Sequence, residues 1–240
     1  MARSTLVERH MARVKAEKAN QGSEHGKPIV SDAYNLLLGS LAEDRRRLKT
    51  IQSIERKIEA KAGMLSAYQD WIDSTLKNGK GAQDNIMTTM MIWHIDVGSF
   101  DTAISIAEYA IRYDLKLPDE YNRNVATLLI DEFADAALGS KFADPKKALE
   151  ALRRIGELTE PHDAPDQARA KLHKAIAYET LHIVDAGSDP ETNDIKPEML
   201  EMARQADKNL RRALELYGGI GVKKNIEQLE RRIKKAQQPA

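Results

Sequence analysis

The amino-acid sequence predicts an all-α protein, organised as a multi-helix bundle. Good helix formers such as Ala, Leu, Lys, Glu and Arg dominate its 240 residues, while aromatic residues make up only 5%. Apolar residues recur at helical spacing, as in Ile86, Met90, Trp93 and Val97. Nearly every expected helix end carries a Gly, Pro, Ser or Asp, the residues that start or stop helices.

The N-terminal part is predicted as a basic helix over residues 1–19, a flexible joint over 20–28 and a long helix. The long helix begins at Ser31 or Asp32, with Ser31 as its N-cap, and continues to Lys61. At 1.5 Å per residue it would be about 45 Å long. Its apolar stripe includes Tyr34, Leu41 and Leu48 at a spacing of seven residues, an imperfect coiled-coil pattern.

The rest of the chain is predicted as shorter helices separated by turns. A helix capped by Ser66 is followed by a helix from Ala82 to Val97 and by one that Ser99 caps. Further helices are expected near 122–138, 145–158, 166–186, 197–217 and 221–236. Alanines recur where helices would approach closely, which favours tetratricopeptide-like antiparallel helix pairs. We therefore expect two domains, a basic arm with the long helix over 1–62 and a helical-repeat-like domain over 63–240.

The charge is distributed unevenly although the net charge is zero. Residues 1–61 carry 13 Lys and Arg against 8 Asp and Glu, residues 200–240 carry 10 against 5, and the middle is acidic. Basic ends can bind a polyanion or the acidic surface of another copy, and they can equally be solvated helix faces. The sequence has no cysteine, no apolar signal segment and no run long enough to span a membrane, so we expect a cytoplasmic protein.

The sequence contains no recognisable catalytic motif, so the catalytic residues stay unknown and no metal site is predicted. There is no GxxxxGK[ST] loop and no HExxH sequence. Asp131, Glu132 and Asp135 form the best local set of carboxylates, and Glu59-Ala60-Lys61 matches the end of a nuclease pattern that normally lies on a strand. Both groups of residues can be explained as charged side chains on solvated helix faces. We expect no cofactor, with Mg²⁺ needed only if the chain is a nuclease.

Several motifs resemble one family over most of the chain, from about residue 9 to residue 235. The most specific are Gly79-Lys80-Gly81-Ala82-Gln83-Asp84, continuing to Trp93 and Asp96-x-Gly98, and Ala168-Arg169-Ala170-Lys171-Leu172-His173-Lys174. Softer matches are Arg9-His10-Met11-x-Arg13-Val14 and Gly221-Val222-Lys223-Lys224. These motifs are similar to the small terminase subunit, or terminase endonuclease subunit, family of tailed bacteriophages.

The resemblance implies a role in viral genome packaging in the host cytoplasm. A small terminase subunit binds double-stranded phage DNA, forms a homo-oligomer and works with the large terminase ATPase subunit in packaging and cohesive-end cutting. Three hypotheses follow: a DNA-binding packaging adaptor, a metal-dependent endonuclease, and a helical-repeat scaffold that binds a protein partner and no DNA. Whether the chain is itself an enzyme stays open, because the family is named for an endonuclease and no nuclease motif is recognisable.

The basic N-terminal region supplies the predicted DNA-binding residues, and the long helix supplies the predicted oligomer contact. The cations form one cluster near the N-terminus and one on the long helix: Arg9, Arg13, Lys15, Lys18, Arg45, Arg46, Arg47 and Lys49. A rival basic cluster lies at Arg231, Arg232, Lys234 and Lys235. The predicted oligomer contact is the apolar stripe Leu41, Leu48, Ile51 and Ile58.

Overall fold

A computed structural model describes residues 6–118, 121–189 and 192–237, with the side chains of residues 6–10 and 12 outside that description. Within these ranges the chain forms eleven α-helices, one 3-10 turn and no strand, which confirms the all-α prediction. None of these helices is long and apolar enough to cross a membrane. The helices are α1 (Leu6–Gln21), α2 (Asp32–Thr50), α3 (Ile54–Leu65), α4 (Gln69–Asn78), α5 (Asn85–Asp96), α6 (Phe100–Arg112), α7 (Val125–Leu138), α8 (Pro145–Thr159), α9 (Asp166–Gly187), α10 (Leu200–Leu216) and α11 (Lys223–Ala236).

The single long helix predicted from Ser31 or Asp32 to Lys61 is wrong, because the chain leaves helical geometry between Thr50 and Ile54. Ile51 ends α2 in an extended conformation, and the Ser53 hydroxyl accepts the Arg56 N–H at 3.4 Å to start α3. A serine side chain competes with the helix for backbone hydrogen bonds, which favours a new N-cap here. The predicted N-cap at Ser31 is confirmed, since its hydroxyl accepts the Tyr34 N–H at 3.1 Å.

The chain divides into two compact units, Met1–Val125 and Ala126–Ala240. The predicted boundary at residue 62 differs from this division and falls inside α3. The physical reason is packing, because α1 contacts α4 and α3 contacts α5, so the N-terminal helices share a core with later ones.

In the first unit α5 is the central helix, since every residue from Ile86 to Ile95 is buried. The fully buried Asp84 carboxylate caps it, with Oδ1 accepting the N–H groups of Ile86 at 2.9 Å and Met87 at 3.0 Å. The other oxygen accepts the indole N–H of Trp71, on α4, at 2.8 Å. Asp84 therefore fixes the start of α5 against α4.

The loop from residue 22 to residue 31 is tied to the rest of the unit, contrary to the flexible joint predicted over 20–28. The Gly26 N–H donates to the Gly81 carbonyl at 2.9 Å, and the Gln83 N–H donates to the Lys27 carbonyl at 3.0 Å. The Lys80 ammonium donates to the Gln21 carbonyl at the end of α1, at 2.8 Å. Segment 79–84 is therefore a structural corner that holds the α1–α2 loop in place.

Gly81 is required at this corner for two reasons. Its φ of +79° lies in the left-handed region that favours glycine. A Cβ atom there would lie 2.3 Å from the Tyr113 ring, while the Gly81 N–H donates to the Tyr109 hydroxyl at 2.9 Å. The two tyrosines of the α6 end thus close over the glycine backbone.

The second unit is built from consecutive helices in contact, as the predicted helix pairs require: α8 with α9, α9 with α10, and α10 with α11. Ala203, Ala206 and Ala213 are fully buried where α10 packs, so their small size permits close approach. Larger apolar side chains complete this core, among them Val184, Leu210, Val222, Ile226 and Leu229.

Two glycine substitutions should change stability in opposite directions. Gly81→Ala is expected to lower the free energy of unfolding by about 2–4 kcal/mol, because it adds left-handed strain and a clash with Tyr113. Gly63→Ala should raise it by about 0.5–1 kcal/mol, since Gly63 lies within α3 and a Cβ there meets no atom within 4 Å. Urea denaturation of both variants measures this; a shift of the same sign in both would contradict the packing described for the corner.

Asp84 should make stability depend on pH. Burial raises its pKa to about 6, although three N–H donors favour the carboxylate. Because the unfolded value is about 4, this contribution is complete below about pH 4 and is lost as the pH rises through about 6. The wild-type free energy of unfolding should therefore fall between pH 4 and 7 by on the order of 2–3 kcal/mol relative to Asp84→Asn.

Denaturation curves of wild type, Asp84→Asn and Glu59→Gln across this pH range provide the measurement. Glu59 is an exposed carboxyl on α3, so its variant should follow the wild type. Parallel pH profiles for wild type and Asp84→Asn would show that Asp84 keeps its ordinary pKa.

Candidate nucleic-acid interface

A groove with a volume of about 480 Å³ lies along α2, α3 and α5 of the first unit. Among the residues that line it, five are Arg or Lys and none is Asp or Glu. The cations are Arg45, Arg46, Lys49, Lys57 and Lys61. We call this the basic groove.

Helix α2 places three of the cations through its amphipathic pattern. Leu41 and Leu48 are buried, at 2% and 8% exposure, and they anchor the helix against the core. Arg45 lies between them on the same side of the helix, and its guanidinium donates to the Thr89 hydroxyl of α5 at 2.9 Å. Arg46 and Lys49 are exposed.

Helix α3 adds Lys57 and Lys61, which are one helical turn apart and therefore lie on one face. Lys61 forms an ion pair with Asp96 at the end of α5, at 2.5 Å, and its side chain is 18% exposed. In the sequence, Lys61 is recognisable only as part of a nuclease pattern, and no motif points to Lys57. Their spacing of four residues was the one local signal that could have grouped them.

The basic groove keeps a surplus of positive charge. Asp96 neutralises Lys61, and Glu43 lies 3.8 Å from Arg46 with both side chains about three-quarters exposed. An exposed pair of that kind contributes little and is easily exchanged for another anion. The arrangement can therefore neutralise several negative charges of a bound polyanion.

The structure separates the predicted DNA-binding residues. Arg45, Arg46 and Lys49 line the basic groove, whereas Arg47 is exposed and does not. The Arg9 side chain lies outside the described residues, and Arg13 pairs with Glu17 at 3.5 Å. Lys15 and Lys18 line a different groove, of about 540 Å³, along α1 and the α1–α2 loop. That groove also contains Glu24 and Asp32, so its charge is mixed.

The predicted oligomer stripe is mostly internal. Leu41 and Leu48 are core side chains, and a residue buried in its own chain has no area left to bury against another copy. Ile51 and Ile58 are half-buried. The prediction of an oligomer contact therefore rests on these two isoleucines.

The rival C-terminal cluster is partly neutralised within its own unit. The Arg232 guanidinium donates to Asp185 at 2.7 Å and to Asn193 at 3.1 Å. Lys235 pairs with Asp194 at 2.7 Å. Arg231, Lys234 and Lys235 are exposed, so only Arg232 of this cluster is partly withdrawn from solvent.

The carboxylates that the sequence singled out as the best local set form ion pairs with a lysine. The Lys171 ammonium of α9 lies 3.1 Å from Asp131 and 3.0 Å from Asp135 of α7. Within the described ranges, no group of three or more His, Cys, Asp or Glu side chains could hold a metal ion.

Comparison with known proteins gives two matches. The model of the family described as the phage small terminase subunit matches residues 38–167, a segment that contains all five cations of the basic groove. A protein of Escherichia phage P2 named the endonuclease subunit of terminase is 36% identical over 234 residues, covering 97% of this chain and 87% of that protein. No solved structure matches the chain.

Proposed function

The chain belongs to the phage small terminase subunit family, and from this premise we propose that it binds double-stranded phage DNA for genome packaging. It acts in the host cytoplasm together with the large terminase ATPase subunit and with further copies of itself. The basic groove is the main DNA-binding surface, and it supplies affinity by holding phosphates of the DNA backbone.

The charge of the basic groove is the observation that carries this proposal. Five cations without a lining carboxylate form a concave surface suited to a polyanion. Binding would displace the condensed counterions of DNA, a sequence-independent source of affinity. Arg45 is held by Thr89 and Lys61 by Asp96, so part of this surface is fixed before DNA arrives.

The other basic regions support the proposal less well. The N-terminal cations share their groove with carboxylates, and the C-terminal cluster is partly paired with Asp185 and Asp194. Both also lie outside residues 38–167. The scaffold hypothesis, without DNA binding, leaves the five clustered cations unexplained.

We assign the cutting that the name of the phage P2 relative describes to a complex in which this chain holds the DNA. Lys171 satisfies the Asp131 and Asp135 carboxylates, so they fit a structural ion-pair network better than a cutting centre. Incubating the isolated chain with phage DNA and Mg²⁺ tests this assignment, and cleavage would make the endonuclease hypothesis the better one.

Further copies would use exposed apolar side chains of the first unit. Ile54 is 75% exposed and Leu36 is 70% exposed, so α3 and α2 each present an apolar side chain to solvent. Burying such side chains against a second copy is favourable. The half-buried Ile51 and Ile58 are close to Ile54 in sequence and would add partial burial.

Removing three cations from the basic groove should weaken DNA binding and its salt dependence. The test variant is Arg46→Ala/Lys49→Ala/Lys57→Ala. The plot of the logarithm of the DNA association constant against the logarithm of the salt concentration has a negative slope. In the variant this slope should become less steep by about three units, roughly one per lost phosphate contact. Titration of a labelled duplex at several salt concentrations measures both affinity and slope.

The matched control removes the same charge elsewhere. Lys146, Lys147 and Arg153 are exposed on α8, and their triple alanine variant should bind almost as the wild type does. A second comparison is Arg231→Ala/Lys234→Ala. If this variant shows a less steep salt dependence of DNA binding while the groove variant keeps the wild-type salt dependence, DNA binds at the C-terminal cluster.

Asp96→Asn should strengthen DNA binding, because it frees the Lys61 ammonium from its ion pair. We expect affinity to rise by about two- to fivefold at low salt and the slope to grow by up to about one unit. Asp101→Asn, an equal charge change at an exposed site on α6, is the control. A decrease for Asp96→Asn, with an unchanged melting temperature, would show that the Lys61–Asp96 pair itself forms part of the DNA contact.

A further inference from the structure

The basic groove has an apolar floor that phosphate binding alone does not require. Leu41, Leu48 and Trp93 line it but are almost fully buried, at 2%, 8% and 4% exposure, so the half-buried Leu38 and Tyr121 supply most of the apolar surface that a ligand can reach. Duplex DNA presents phosphates outward and keeps its base faces stacked inside. A single strand exposes both phosphates and base faces.

We propose that the basic groove binds a single-stranded segment of DNA, with its phosphates on the cations and a base stacked on Tyr121. This inference rests on the proposed DNA-binding function and specifies which form of DNA enters the groove. A cationic groove combined with an aromatic platform is the arrangement by which proteins bind single strands without reading sequence.

The size of the groove agrees with this ligand. Its volume of about 480 Å³ falls in the range that holds drug-sized molecules, the size class of one or two nucleotides. A duplex could touch the cations only from outside. Its phosphates would then contact the cations, and no part of the duplex would contact the apolar floor.

The floor of the groove is held in place by contacts inside the first unit. The Trp93 ring meets Tyr68 edge-on, with centroids 6.2 Å apart, and the Tyr68 hydroxyl donates to Asp44 at 2.8 Å. Burial, with the hydrogen bond to Asp44, raises the pKa of the Tyr68 phenol, so it remains a neutral donor. The contact with Tyr68 therefore holds the Trp93 ring in place.

Tyr121 and two polar residues complete the site. The Tyr121 backbone N–H donates to the Pro118 carbonyl at 2.9 Å, which ties the backbone of this residue to Pro118. Asn85 also lines the groove and is exposed, so its side-chain amide can hydrogen-bond to the edge of an inserted base. The Thr89 hydroxyl instead accepts from Arg45 and donates to the Asn85 carbonyl at 2.7 Å, which holds the guanidinium at the groove. Helices α2, α3 and α5 together with Tyr121 therefore supply the cations, the amide and the aromatic ring that one splayed nucleotide needs.

The test compares a labelled oligothymidylate with a duplex of equal length. Tyr121→Ala should weaken oligothymidylate binding about tenfold, the effect of losing one stacking contact, with the salt slope unchanged. Duplex affinity should change less than twofold. Tyr121→Phe should keep wild-type affinity for both, because the flat ring remains. Tyr217→Ala removes a tyrosine that is 42% exposed in the second unit and should change neither.

A measurement on the wild-type chain tests the inference even if a variant fails to fold. An oligothymidylate containing 5-iodouracil, irradiated on the wild-type protein, should crosslink to the peptide that contains Tyr121 or Trp93. Crosslinks confined to other peptides overturn the inference, as does an equal loss of single-strand and duplex binding in Tyr121→Ala. If the wild type binds duplex and shows no single-strand binding, only this inference fails. If it binds neither, the proposed function fails as well.

Discussion

The first turn of α5 is the constraint on which the N-terminal unit depends. A helix start leaves N–H groups without partners in the helix, and here side chains from two parts of the unit accept the first three of them. The Asn85 N–H donates to the Tyr34 hydroxyl of α2 at 3.0 Å, and the next two donate to the Asp84 carboxylate, which also binds Trp71 of α4. One buried carboxylate and one phenol therefore join α2, α4 and α5. Because α5 carries Asn85, Thr89 and Trp93 into the basic groove, these contacts position one of its walls.

The basic groove itself exists because the helix predicted over 31–61 breaks at Ser53. In one straight helix, Lys57 and Lys61 would lie about 18 and 24 Å along the axis from Arg45, too far to line one groove of this size. The break lets α3 pack on α5 and brings both lysines to the groove that the α2 arginines line. Ser53 therefore has a functional consequence although it lines no part of the groove.

The three basic regions differ in what balances their charge, and this difference matters more than the number of cations. The α1 groove contains its own carboxylates, and the C-terminal cluster is held by Asp185 and Asp194. No carboxylate lines the basic groove; Lys61 pairs with Asp96, and Arg46 lies near Glu43 in an exposed pair that is easily exchanged. Exposed cations supply salt-dependent affinity for phosphate, while the apolar floor can contribute only where base faces are accessible. Under the proposed function, the cations would hold the phosphates of either form of DNA, and the Tyr121 ring would add a contact that only a single strand can make.

The sequence by itself determined the helical class, most helix positions and the Arg45–Lys49 cluster, because these depend on local signals. Ser31 and Asp84 cap helices as their residue types favour, and heptad spacing correctly grouped Tyr34, Leu41 and Leu48 on one face. Only the tertiary structure decided what that face contacts: it is buried in the monomer, so an apolar stripe could not distinguish a core from an oligomer contact. The division after Val125, the grouping of Lys57 and Lys61 with the arginines, and the recruitment of Trp93 and Tyr121 also required the structure. Each depends on contacts between residues that are far apart in sequence, and no local pattern encodes such a partner.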